Sequence, residues 1–257
     1  MSNLPVSYST AHYQTDADTH AAWNIFCDFD GTIAQVDVTD TLLERFANAS
    51  WQAIEQVWKA GIIGSRECLT QQIALLDLSR SQLNQHLDTI AIDPDFPAFI
   101  TEAQAQGHRI TIVSDGLDYA IRRILSRYRL MSLPVIANQL EQQSERTWQI
   151  TFPHFDLRCR SAAGHCKCAT VAHTQCSTGS PRRSLLIGDG TSDFCAAATV
   201  DFVFAKHKLI AHCRQRQLPH CAIQNFAEAR NLLSSLDRIS PAVTARCTST
   251  LSPMETP

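Results

Sequence analysis

Asn24-Ile25-Phe26-Cys27-Asp28-Phe29-Asp30-Gly31-Thr32 is the stretch from which the rest of the chain can be read. Asn24 to Cys27 is a short, mainly apolar run that stops at an acid. That is the profile of a buried strand with a polar residue at its C-terminal end. Three later runs have the same shape. Arg109–Val113 ends at Ser114, Ser184–Ile187 ends at Gly188-Asp189, and Asp201–Phe204 forms a fourth. Helical spacing follows the strands, as in Leu117, Ala120, Ile121, Ile124 and Leu125 after Ser114. Strands alternating with helices predict an α/β fold, a Rossmann-like parallel sheet with helices on both faces. Ligands of such sheets sit at the carboxyl ends of the strands, and three of those ends carry Asp28, Ser114 and Asp189.

Residues 37–92 hold no convincing strand. Apolar residues at helical spacing predict a small helical bundle inserted after the first strand. Asp40 is the expected cap of a helix carrying Leu42, Leu43 and Phe46, and Ser50 of one carrying Trp51, Ile54 and Trp58. A third carries Leu69, Ile73 and Leu76. Ser79-Arg80-Ser81-Gln82 is a capping-box pattern before a fourth. Asp93-Pro94 starts a return helix that Gly107 closes. The expected division is a core of residues 21–36 and 93–236 with a helical cap of 37–92. Residues 134–152 predict a hairpin. The polar segment 1–20 and the Ser/Thr/Pro-rich segment 237–257 are expected to be disordered tails.

The bulk numbers exclude several classes. The 257 residues are 44% hydrophobic and 18% charged, with a formal net charge of −3, so no nucleic-acid surface is indicated. No apolar run approaches the ~20 residues of a membrane span, and residues 1–20 lack the features of a signal peptide. The expected location is the cytoplasm, and the expected state is monomer or homodimer. The ten cysteines are expected to be free thiols rather than a disulfide frame.

Asp28 and Asp30 flank one residue just past a buried strand. Asp-x-Asp-Gly also occurs in calcium loops, but loop position 12, which needs Glu, is Thr39 here. Gly188-Asp189-Gly190-Thr191-Ser192-Asp193 brings two more acids to a strand end. Four carboxylates in one pocket need a cation, and a hard ion such as Mg²⁺ suits them. Ser114-Asp115-Gly116 offers a hydroxyl beside backbone N–H groups for a phosphate oxygen. Lys167 is expected at a helix start, where the dipole disfavours it. That points to a task beyond the helix, with a surface lysine as the ordinary alternative.

These signals, in this order, resemble the haloacid dehalogenase (HAD) superfamily. The resemblance runs from about residue 23 to about 235, and the insert is similar to the cap of the phosphoserine phosphatase-like subclass. It implies a Mg²⁺-dependent phosphatase in which Asp28 forms an aspartyl-phosphate and Asp30 acts as acid and then base. Asp28, Asp30 (through its carbonyl), Asp189 and Asp193 would serve the metal. Ser114, Asp115, Gly116, Lys167 and Thr32 would form the phosphate site. The second acid, Asp30, argues for phosphoryl transfer over dehalogenation.

For the substrate, phosphoserine phosphatases place an amine-binding acid where Asp37 stands and a carboxylate-binding Arg where Gln72 stands. Gln72 cannot replace a bidentate Arg, although Arg66 lies nearby. The stretches VTDTLLERFA, GSRECL, IVSDGLDYAIRRIL, HCKC and IGDGTSDFCAA are similar to the MtnX-like group, which takes its name from a methionine-salvage phosphatase. That similarity implies a small phosphorylated metabolite as partner. Phosphocholine/phosphoethanolamine-type phosphatases are a further likeness. Readings of another class are a zinc site built from Cys159, Cys166, Cys168 and His154 or His165, and a non-catalytic binding relative. The latter normally lacks a motif acid, and none is lacking here.

Overall fold

The computed structural model describes residues 22–177 and 182–236. Both expected tails lie outside the described residues. Strands β1 (Trp23–Cys27), β2 (Arg109–Leu117), β3 (Val135–Gln142), β4 (Trp148–Thr151), β5 (Arg183–Gly188), β6 (Phe202–Ala205) and β7 (His220–Ala222) form one sheet. Its order is β4-β3-β2-β1-β5-β6-β7, and all pairs are parallel except the hairpin β3–β4. The strand that ends at Asp28 is central, flanked by those that carry Ser114 and Asp189.

Successive side chains of a strand point to opposite faces, and the apolar residues sort accordingly. Ile25, Cys27, Ile110, Ile112, Leu185 and Ile187 join one cluster, completed by α5 (Phe96–Ala105), α6 (Asp118–Ser126) and α10 (Phe226–Leu233). Phe26, Val113, Leu186 and Val203 face the other side. There they meet α7 (Lys167–Ser177), α8 (Phe194–Ala197) and α9 (His207–Arg216). Among the described residues, no helix is long and apolar enough to cross a membrane.

Four helices follow β1: α1 (Val38–Phe46), α2 (Trp51–Lys59), α3 (Ser65–Ile73) and α4 (Arg80–Leu87). Ser79 and Gln82 make both bonds of the expected capping box. The first cluster continues into this insert through Leu42, Leu43, Ile73, Leu83 and Leu87, so the insert shares the main core. Its two connecting chains are joined by an Ala34–Ile92 bridge and by Gln35 N–H donating to Ala91 O at 3.2 Å. The hairpin adds another attachment, because Trp148 Nε1 donates to Leu78 O at 2.9 Å.

The structure corrects two local expectations and adds one element. The cap of α1 is Asp37, whose carboxylate accepts from Asp40 N at 3.0 Å. Asp40 lies in the first turn, because the apolar face already begins at Val38. Ser114 does not end its strand: β2 runs on to Leu117, with a register shift against β3 after Val113, and α6 begins at Asp118. The edge strand β7 was not foreseen, since it has three residues and no continuous apolar run.

Candidate active site

The strand ends bring the expected acids together. Asp28 follows β1 directly, and its backbone N–H donates to Ile187 O at 2.9 Å, which aligns it with the end of β5. One oxygen each of Asp28, Asp189 and Asp193 lies within 4.8 Å of the others. Lys167, the first residue of α7, has no exposed surface. Its Nζ donates to Asp28 Oδ1 at 2.7 Å, Asp193 Oδ1 at 2.6 Å and Ser192 Oγ at 3.1 Å. Burial pulls the lysine pKa down, but the Asp193 and Asp28 charges outweigh it and hold the ammonium well above its ordinary range. Burial, and then the charge of Asp193, push the Asp28 and Asp189 carboxyls up. A single buried ammonium therefore leaves this group of acids short of positive charge. The set is all-oxygen and anionic, and it fits a hard divalent cation.

Glycines make the close approach possible. A Cβ on Gly188 would lie 2.4 Å from Asp193 Oδ2, and one on Gly31 (φ +70°) would lie 2.7 Å from Asp189 Oδ2. Asp193 Oδ2 also accepts from Asp189 N and Gly190 N at 3.0 and 3.2 Å, which closes the loop around it.

Asp30 is held differently. Its Oδ1 accepts from Val38 N at 2.9 Å and its Oδ2 from Ser114 Oγ at 3.2 Å. Enclosure, and then the charge of Asp37, push its carboxyl up to about 7. It stands ready to hold or release a proton near neutrality. Ser114 Oγ accepts from Gly116 N at 2.9 Å, so hydroxyl and amide lie beside Asp30.

These groups form the floor of a cavity of about 540 Å³ whose wall is the insert. Asp37, Asp40, Glu55, Trp58, Lys59 and Gln72 line that wall. Gln72 is buried, and its Nε2 donates to Glu55 Oε2 at 3.0 Å, while Glu55 Oε1 pairs with Lys59 at 3.2 Å. Burial and the charges of Asp37 and Glu55 push Asp40 up to about 7.

Other expected residues sit elsewhere. Arg66 is not on the cavity; its guanidinium lies 3.9 Å over the Phe155 ring, so it does not stand in for the missing Arg. The Thr32 hydroxyl donates to Asp189 at 3.3 Å and sets that acid rather than facing the cavity. Asp115 borders the cavity, but its carboxylate takes donors from Ser65, Asn138 and His165 N. The zinc reading is not supported. Among the described residues, no thiol belongs to a gathered group of three ligands. His165 is engaged through both ring nitrogens, by Ser114 O at 3.0 Å and Thr170 Oγ1 at 2.7 Å. Glu55 and Ser65 were missed. The signal for Glu55 was a lone acid on the Trp51/Trp58 side of α2.

The profile of the haloacid dehalogenase-like hydrolases matches residues 25–198, more than half of the chain. The chain belongs to this family. The hydrolase is 27% identical to a 2-hydroxy-3-keto-5-methylthiopentenyl-1-phosphate phosphatase of Brevibacillus brevis, covering 83% of this chain and 96% of the relative. It is 30% identical to a phosphatase of the same name from an Exiguobacterium species, covering 79% and 93%. It is 28% identical to Pdp3-interacting factor 1 of Schizosaccharomyces pombe, covering 82% and 95%. Its fold is shared with a phosphoserine phosphatase solved with an analogue of its phospho-aspartyl intermediate. The TM-score is 0.63 at 18% identity, over 83% of this chain and 98% of that one.

Proposed function

We propose that this hydrolase is a Mg²⁺-dependent phosphomonoesterase that cleaves a small phosphorylated metabolite through an aspartyl-phosphate on Asp28. The observation that carries the reading is the meeting, on one cavity floor, of an ammonium-bound carboxylate (Asp28) and a second carboxyl that titrates near neutrality (Asp30).

Asp28 attacks phosphorus in line with the leaving oxygen, and the P–O bond to the alcohol breaks. Asp30 gives its proton to that oxygen. Asp30 then takes a proton from the water that attacks the aspartyl-phosphate, releasing phosphate and restoring Asp28. Lys167 and the hydroxyl of Ser114, with the Gly116 amide, hold the oxygens where charge gathers. A divalent ion held by Asp28, Asp189 and Asp193, with the Asp30 carbonyl, would neutralise the repulsion between carboxylate and phosphate dianion.

The names of the relatives favour 2-hydroxy-3-keto-5-methylthiopentenyl-1-phosphate or a similar phosphorylated keto-enol as substrate. Gln72, neutral where a carboxylate-binding Arg would serve phosphoserine, agrees with a substrate that lacks a carboxylate. A second reading rests on the cavity wall. Asp37, Asp40 and Glu55 with Trp58 suit a cationic alcohol, as in phosphoethanolamine or phosphocholine.

The test is phosphate release across a panel holding both classes, with and without EDTA. Hydrolysis of at least one ester, suppressed by the chelator, is expected. Asp28→Asn should lower kcat by at least about a thousandfold while the circular dichroism spectrum stays unchanged. Full turnover in that variant would refute the nucleophile.

A further inference from the structure

Asp115 follows the Ser114 hydroxyl and borders the cavity, and a carboxylate placed beside a phosphate site is costly unless it does something there. Its surroundings say what. Asp115 follows Ser114 on β2, and Oδ1 accepts from His165 N at 2.8 Å and from Asn138 Nδ2 at 3.0 Å. Oδ2 accepts from Ser65 Oγ, the first residue of α3 in the insert. Ser65 Oγ in turn accepts from Gly164 N at 3.2 Å. Three of the roughly four acceptor positions of a carboxylate are thus taken by protein donors. The donors come from three separate segments: the insert, β3, and the loop that delivers Lys167.

That loop runs flush against the acid. A Cβ on Gly164 would lie 2.9 Å from Asp115 Oδ1 and 2.6 Å from the Phe152 ring. Two residues before Lys167, His165 also bonds Ser114 O through its ring. On the insert side, Arg66 N donates to Ala162 O at 3.3 Å, and a Cβ on Gly64 would collide with Ala162. The insert therefore touches the lysine loop and the Ser114 strand at one junction, and the Asp115 carboxylate is its centre. Both oxygens meet hydrogen-bond donors. An asparagine would turn an NH₂ toward one of them, and glycine would take this acceptor from the Ser65 hydroxyl and the His165 amide, leaving Asn138 only the backbone carbonyl.

We propose that Asp115 is a positioning residue, a latch that couples docking of the insert through Ser65 to the placement of Lys167 through the 164–167 loop. The insert closes over the cavity, Ser65 reaches Asp115 and Gly164, and the loop settles with the ammonium on Asp28. Its kinetic consequences rest on the phosphatase reading above; its structural consequences do not.

The test compares the full-length wild type with Ser65→Ala, Ser65→Thr, Asp115→Asn and the Ser65→Ala/Asp115→Asn pair. Backbone hydrogen exchange is read in segments 62–68 and 162–168. Ser65→Ala should speed exchange in both segments with little change in melting temperature, and Ser65→Thr should restore protection. With p-nitrophenyl phosphate, Ser65→Ala should lower kcat/KM about tenfold, mostly through KM. Asp115→Asn should lower kcat as well, and the pair should be no worse than Asp115→Asn alone, because both break one latch. Wild-type exchange at 162–168 in Ser65→Ala, or fully additive kinetic losses, would overturn the proposal. If Asp115→Asn does not fold, the two Ser65 variants decide the matter by exchange. If no protein turns over any phosphomonoester but the exchange pattern appears, the phosphatase reading falls and the latch stands.

Discussion

The floor and the wall of the cavity are both acidic, and they hold their acids in different ways. On the floor, Asp28 and Asp193 are buried and share one buried ammonium, and two backbone amides fix the remaining oxygen of Asp193. On the wall, Asp37 is exposed and Asp40 half-buried, and the buried Glu55 pairs with Lys59, whose side chain is 57% exposed. A fully buried network resists a change in charge more than one whose acids and cation reach solvent. The difference teaches where the molecule is specified for chemistry and where it is free to vary for substrate.

The hardest test of that contrast is Lys167→Met. Removing the ammonium leaves two buried carboxylates facing each other, so a loss of about 3–5 kcal/mol is expected along with loss of turnover. Thermal and urea denaturation would register it; an unchanged melting temperature would mean that the floor is not the tight network described. On the wall the expected effects are smaller. Gln72→Arg places a guanidinium beside Glu55, which would pair with it, so phosphoserine should gain only a few-fold in kcat/KM relative to phosphoethanolamine. With Glu55→Gln added, the guanidinium is released to a substrate carboxylate and the shift should reach about tenfold. Equal shifts in the single and double variants would show that Glu55 does not govern position 72.

A further effect concerns the joint between floor and wall. Burial, chiefly, with the charges of Lys167 and His154, lowers the pKa of His165 to about 4, against the opposing bond to Ser114 O. The folded state keeps this ring neutral while the unfolded chain takes up a proton near pH 6.5. Its contribution is therefore complete above that value and is lost as pH falls toward 4, by up to about 3 kcal/mol. Urea midpoints measured from pH 7.5 to pH 5 should decline, and His165→Asn should flatten that part of the slope.

The same contrast explains what could be read in the sequence. Asp28, Asp189 and Asp193 were legible because a buried strand ends where its apolar run ends, and a parallel sheet brings such ends together. Lys167 was legible because its charge opposes the helix end that carries it. The wall was not, because a residue there counts only if its helix is turned toward the cavity. Arg66 and Gln72 lie six positions apart on α3, a rotation of about 240°, so the two cannot face the same space. Glu55 was overlooked for the converse reason: the apolar neighbours on its side of α2 drew the reading toward packing. The junction at Asp115 joins segments about fifty residues apart on either side, and no local pattern announces such a meeting.

The paired chains at Ala34 and Ile92 and the indole contact from Trp148 to Leu78 have a mechanical consequence. With Arg123 on Asp88 and Arg127 on the Leu87 and Ile90 carbonyls as further ties, the lobe is clamped along its base and cannot lift away bodily. Any yielding to a passing small molecule falls to the parts farthest from these ties.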